Sequence, residues 1–253
     1  MYPYIGITGF SRTEEVSTAL QAFPNNDNRK LMVGVLATYK SLRGLPMKSR
    51  WAKQTPKARN IRKLFFNDER VVNLVHFSTD EGQENSILTD MFKIHDLAGP
   101  NFHGFQLNIA WPEIHQLDDY RATMGWNYRI ILQLGQKAIG AAGGTVKGVV
   151  ETLHHYVGVV DDILFDPSGG LGKPFNTEEA FNFLSAIAEQ SWNIGLGVAG
   201  GLGPDSLDLI NLLVRDFPSL NIDAQGRLRD VENDLNLNLV SAYLTKALKL
   251  FDR

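Results

Sequence analysis

The sequence predicts a single (β/α)8 TIM barrel of the phosphate-binding type, on three observations. Eight short apolar runs occur along the chain, each followed by a corner rich in Gly, Pro, Ser, Asn or Asp and then by a segment with helical spacing. The 253 residues suit eight such strand-helix units, since a closed parallel barrel takes about 250 residues. Nothing in the chain marks a second domain, a long linker or a low-complexity stretch, so residues 1–253 read as one domain.

In chain order, the strand candidates are Tyr4–Gly9, Leu31–Thr38, Val71–Ser78, Gly104–Ala110, Arg129–Leu134, Asp162–Phe165, Ile194–Ala199 and Leu220–Ala224. Helical patterns follow them at Thr13–Phe23, at least Ala58–Asn67, Glu84–Leu97, Glu113–Met124, Val146–Tyr156, Thr177–Glu189, Asp205–Phe217 and Leu235–Phe251. An open doubly wound sheet would have fewer strands.

Composition narrows the function classes. At 43% apolar and 21% charged residues the chain buries a sizeable core. It opens MYPYIGITGF with no basic leader, and no apolar stretch approaches the roughly 18 residues of a membrane helix, so a soluble, cytoplasmic protein without a membrane partner is expected. With no cysteine, disulfides, thiolate nucleophiles and zinc-thiolate sites are excluded. A net charge of −3 gives no sign of nucleic acid as a general partner. That charge is unevenly spread: residues 39–63 carry Lys40, Arg43, Lys48, Arg50, Lys53, Lys57, Arg59, Arg62 and Lys63 and no acid. Such a block is a solvated face, a nucleic-acid patch or a loop that attracts an anionic ligand.

Sites of this architecture collect where strands end at the C-terminal face. Thr8, Gly9 and Ser11 follow the first strand, Lys40 and Arg43 the second, and Ser78, Thr79 and Asp80 the third. The fourth offers Gln106, Asn108 and Glu113, and the fifth Gln133. The sixth delivers Asp166 and the turn containing Gly169, Gly170, Gly172 and Lys173; the seventh ends in Gly200, Gly201 and Gly203; the eighth carries Asp223, Gln225, Gly226 and Arg227. Glycines let backbone N–H groups approach an anion, and Pro204 suits the first turn of a helix whose dipole would help hold a phosphate at Gly200 and Gly201. Each cluster also reads as a tight turn in which glycine permits positive φ. Asp166 before proline is a proton donor or an ordinary turn starter, Arg43 a bidentate anion contact or a solvated arginine, and Asp223 a mouth residue or a supporting one. Histidines and carboxylates do not share successive strand ends, so no metal is expected, and no cofactor is implied.

These strand ends resemble phosphoribosylanthranilate isomerase, whose last strands read LLD, then GGxGKxF, (S/A)GGLxP(D/E) and VD. The matching residues are Phe165-Asp166, Gly169 to Phe175, Ala199 to Asp205 and Ile222-Asp223, with weaker echoes at Gln106-Leu107 and Lys40 to Arg43. The resemblance is strong over the last third of the chain. It implies an Amadori rearrangement in which Asp166 as acid protonates a ribose ring oxygen while a base removes the C2′ proton. Substrate contacts would come from Arg43, Gly170, Gly172, Lys173, Gly200, Gly201, Asp223 and Gly226. Two departures stand out. Thr8 occupies the position of the family's basic cysteine, and an alcohol is a far poorer base than a thiolate. Ala224 to Arg227 replaces a two-serine turn. The expected partner is a phosphorylated small molecule; the alternative is a phospholigand-binding barrel without isomerase activity. Oligomeric state is not set by these residues.

Overall fold

The computed structural model describes residues 2–25, 28–168 and 174–252. Eight parallel strands close into a barrel in sequence order: β1 (Tyr4–Thr8), β2 (Lys30–Thr38), β3 (Val71–Ser78), β4 (Gly104–Leu107), β5 (Arg129–Gly135), β6 (Asp162–Asp166), β7 (Gly195–Ala199) and β8 (Asn221–Ala224). Closure runs through β1 and β8, where Ile5, Gly6 and Ile7 pair with Ile222, Asp223 and Ala224. The strands are near-continuous apolar runs because both faces are covered, the outer one by helices and the inner one by the other strands.

Around them lie α1 (Thr13–Ala22), α2 (Tyr39–Arg43), α3 (Ser49–Gln54), α4 (Ile61–Leu64), α5 (Ile87–Ala98), α6 (Ile114–Met124), α7 (Gln136–Ala141), α8 (Val146–His154), α9 (Thr177–Ala188), α10 (Asn211–Asp216) and α11 (Leu237–Phe251). Local chemistry sets their starts: the Asn176 side chain accepts from the Glu179 N–H ahead of α9, and Asn236 accepts from Asn238 and Leu239 ahead of α11. Along α11, Val240, Tyr243, Leu244, Ala247 and Leu248 recur at helical spacing and are buried. No helix among the described residues is long and apolar enough to cross a membrane.

Three sequence expectations need correction. The fourth strand stops at Leu107 rather than Ala110, and the chain bends away through Trp111, which adopts φ 49°. The helix expected from Asp205 is a 3-10 turn, Leu207–Ile210, followed by the six-residue α10. The Ser206 hydroxyl accepts from the Gly203 N–H and donates to the Gly201 carbonyl, folding the chain into a turn where the helix was expected to begin. In the second connection the helical residues are a 3-10 turn, Ala58–Asn60, and α4, with α2 and α3 inserted before them.

The barrel interior is layered. Tyr4, Met32, Leu74, Ile131, Leu164 and Ala199 form an apolar plug. Toward the N-terminal ends of the strands, Arg129 donates to both oxygens of Asp162 at 2.6 Å, Asn221 Nδ2 donates to Asp162 Oδ1 at 3.0 Å, and Asn221 Oδ1 accepts from the Tyr4 N–H at 2.8 Å. Gly195 admits this cluster, since a Cβ there would lie 2.0 Å from Asp162 Oδ1. A second polar layer lies at the C-terminal ends.

Candidate active site

Inward-pointing positions recur every second residue along a strand. That period delivers Thr8, His76, Gln106, Gln133, Asp166 and Asp223 to one layer above the plug, all buried. Thr8 Oγ1 donates to Asp223 Oδ2 at 2.7 Å, and Gln106 Nε2 lies 3.3 Å from the same oxygen. Asp223 Oδ1 has no hydrogen-bond partner among the described residues. It lies against β1, where a Cβ on Gly6 would come within 3.0 Å of it.

Asp166 is held differently. The Ser168 N–H and Oγ contact Oδ1 at 3.1 and 2.7 Å, and Gln133 Nε2 donates to Oδ2 at 2.8 Å. Gln106 Nε2 also lies 3.3 Å from Gln133 Oε1, so two amides connect the carboxylates. Gly200 makes room for this arrangement: a Cβ there would meet Asp166 Oδ1 at 2.6 Å and Ser168 Oγ at 2.8 Å.

Burial raises the Asp223 carboxyl to about 7, aided by the charge on Asp166 and opposed by the hydrogen bonds from Thr8 and Gln106 and from the Ala224 backbone. Burial also lowers His76 to about 4, so it is a neutral imidazole at pH 7. Its Nε2 lies 3.4 Å from Asn108 Nδ2, and its Nδ1 has no partner among the described residues.

Over this layer opens a cavity of about 290 Å³, bounded by Trp51 and Met47 on one wall, by Lys40, Lys48 and Asp80 at its edge, and by Asp166 and Gln133 at its floor. A recess of about 20 Å³ adjoins it. His76, Asp166 and Gln225 line both spaces, and the recess is also lined by Gln106, Ser168, Ala199, Gly200, Gly201, Asp223 and Gly226. That volume suits about one water molecule.

A strap crosses the β1 side of the mouth. Gln54, buried on α3, donates to Asn233 Oδ1 at 2.9 Å and accepts from Gln225 Nε2 at 2.6 Å, while Asn233 Nδ2 donates to the Arg50 carbonyl. Arg229 donates to the Gly9 carbonyl at 2.8 Å beneath it, and burial lowers that guanidinium to about 10.

The structure therefore brings Thr8, Asp166, Asp223, Gly200, Gly201 and Gly226 together. Gly200 and Gly201 have φ 93° and 72°, so both serve the turn as well as lining the recess. No helix starts at Pro204 to point a dipole there. Arg43 is elsewhere: it clasps Asp90 on α5 at 2.9 and 3.0 Å and stacks on Tyr39, which leaves it outside the lining of the cavity. Gly170, Gly172 and Lys173 lie outside the described residues. The basic block is partly neutralised within the chain, by Asp90 on Arg43, Asp80 on Lys40, and Glu232 and Asp234 on Lys53. Sequence reasoning missed Trp51, Met47 and Lys48 as cavity walls. Their signal was an aromatic and a methionine inside a charged run, where apolar groups need cover.

Among the described residues no group of three or more His, Asp or Glu side chains is arranged to hold a metal ion. No family model matches the chain, and no curated protein matches its sequence. Solved structures do match its fold. Phosphoribosylanthranilate isomerase from Thermus thermophilus superposes with a TM-score of 0.63 at 15% identity, over 99% of this chain and 100% of that one. A phosphoribosylanthranilate isomerase in complex with reduced 1-(o-carboxyphenylamino)-1-deoxyribulose 5-phosphate gives 0.61 at 15% identity, over 98% and 100%. The tryptophan synthase alpha subunit from Legionella pneumophila gives 0.57 at 11% identity, over 99% and 92%. The chain is thus similar in fold to phosphoribosylanthranilate isomerase, and one barrel framework carries both named enzymes, so function has to come from the site.

Proposed function

We propose that this barrel is an isomerase that rearranges a phosphorylated small molecule of the aminosugar phosphate kind by acid–base chemistry, with phosphoribosylanthranilate as the first substrate to try. One observation carries the reading: two carboxylates, Asp166 and Asp223, face one recess beside a cavity large enough for a small ligand, and burial holds one of them near neutral pH. Groups that titrate near the working pH are the most effective general acids and bases. The similarity in fold to an isomerase in complex with a phosphorylated ligand supports the substrate class.

The phosphate belongs to the backbone of Gly200, Gly201 and Gly226, and the family resemblance adds Gly170, Gly172 and Lys173 as contacts. At about 20 Å³ the recess is smaller than a phosphate group, so binding requires the residues around it to open. Lys40 and Lys48 at the cavity edge draw the anion in.

Purified protein is expected to turn over phosphoribosylanthranilate, and Asp166→Asn to lower turnover about 10²–10⁴-fold with little change in affinity. A phosphate-soaked crystal should show the anion against Gly200 and Gly201. Binding without turnover by the wild type would instead favour a phospholigand-binding barrel.

A further inference from the structure

Three donors converge on Asp166 and serve both of its oxygens, which is the hydrogen bonding of a carboxylate. Asp223 accepts side-chain hydrogen bonds on Oδ2 alone, from Thr8 and Gln106, with a smaller backbone contribution from Ala224. Its Oδ1 is buried and without a hydrogen-bond partner, and Asp223 and Asp166 both line the recess. A buried oxygen without a donor is costly as part of an anion and is well suited to carry a proton.

From this asymmetry we propose that Asp223 is the proton donor of the reaction and Asp166 the proton acceptor, with Thr8 a positioning residue that orients Asp223. The roles are the reverse of those that the family resemblance implies for Asp166, and the proposal rests on the isomerase reading above.

The step balances as follows. Asp223 gives its carboxyl proton to the ribose ring oxygen; the C1′–O bond breaks and the nitrogen lone pair forms the C1′=N iminium. Asp166 then takes the C2′ proton. The C–H pair becomes the C1′=C2′ double bond, and the C=N pair returns to nitrogen. Ketonisation restores both residues: the C2′ hydroxyl proton passes to Asp223 and the proton on Asp166 to C1′. Thr8 takes no proton in this scheme, so the absence of a cysteine removes nothing from it.

The groups that act on Asp223 come from every side. Asp166 on β6 raises it, the phenols of Tyr4 on β1 and Tyr243 on α11 interact with it, and neutral His76 on β3 lines the same recess. Loss of the Thr8 hydroxyl removes a hydrogen bond that favours the charged form and moves Asp223 further up.

The test is the pH profile of phosphoribosylanthranilate turnover from pH 5 to 9 for wild type, Asp223→Asn and Thr8→Val, with circular dichroism as the check on folding. A donor at Asp223 gives kcat/KM that falls as pH rises through about 7, a limb displaced to higher pH in Thr8→Val, and a loss in kcat of about 10²–10⁴-fold at similar KM in Asp223→Asn. A limb that rises through 7 and moves with Thr8→Val would assign the opposite role and overturn the proposal. A folded Asp223→Asn within a few-fold of wild type, with its profile unchanged, overturns it too and leaves the isomerase reading standing. A wild type that turns over nothing removes the isomerase reading itself, and the proposal goes with it.

Discussion

The barrel encloses two buried polar clusters with opposite character, one below the apolar plug and one above it. Below, Arg129 and Asp162 form a bidentate ion pair and Asn221 takes up a remaining site on the carboxylate. Above, Asp166 and Asp223 face one recess lined by no cation among the described residues, and Asp223 Oδ1, Gln106 Oε1 and His76 Nδ1 have no partners there. One framework thus satisfies its polar groups at one end and leaves them open at the other. The satisfied cluster holds the strands in register; the open one is where a ligand has polar atoms to meet.

The largest expected effect comes from breaking the lower cluster. Arg129→Met leaves Asp162 buried and unpaired, which costs about 3–5 kcal/mol and lowers Tm by about 6–20 °C for a chain of this size. Calorimetry checks the shift, and turnover per folded molecule should match wild type. If turnover falls with stability intact, the two ends are coupled and the contrast fails.

The upper cluster should respond to pH. The Asp223 carboxyl is raised from 3.8 to about 7 in the folded state, so between pH 4 and 7 the native protein holds more protons than the unfolded chain and stability falls as pH rises. His76, lowered from 6.5 to about 4, acts in the opposite sense: stability is lost as pH falls from 6.5 toward 4. In the wild type the two slopes offset one another over most of that window. Asp223→Asn should unmask the histidine's acid loss, and His76→Gln the carboxylate's alkaline loss, each approaching about 1.4 kcal/mol per pH unit. Urea unfolding at pH 4.5, 5.5 and 6.5 measures both, and parallel curves for all three proteins would refute the assignment.

Smaller effects are expected outside the barrel. Arg43→Ala strands the buried Asp90 with Ser86 as its remaining side-chain partner, at a cost of about 1–3 kcal/mol, and should leave ligand affinity unchanged. A marked loss of affinity with stability retained would return Arg43 to the site. Gln54→Ala loosens the strap by about 1 kcal/mol and should be visible chiefly as faster limited proteolysis between residues 44 and 57.

All eight strands were legible in the sequence because parallel strands buried on both faces leave uninterrupted apolar runs such as Leu31–Ala37. The rule that sites collect where barrel strands end also placed Gln106, Gln133 and Asp166 at the mouth. Short helices were not legible: α2, α3 and α7 span only five or six residues, too few for a helical period to show. The 3-10 turn after Gly203 escaped notice because its cause is one hydroxyl, Ser206, bonded to backbone on either side. The pairing of Thr8 with Asp223 joins residues 215 positions apart, and depends on the stagger of β1 against β8. No local pattern encodes such a contact, nor one like Arg43 with Asp90, 47 positions away.

Thr8 and Asp223 also sit at the seam where the first strand meets the last, a junction that comes together only when nearly the whole chain has been gathered in. Loop closure of that length is slow and entropically opposed, so an incompletely folded barrel can hold native strands and helices while its acid–base layer does not yet exist. The raised carboxyl of Asp223 then becomes a kinetic clock: in His76→Gln, where no histidine proton release offsets it, proton uptake at pH 5.5 during refolding should coincide with closure of the ring, after the bulk of the helical signal has formed.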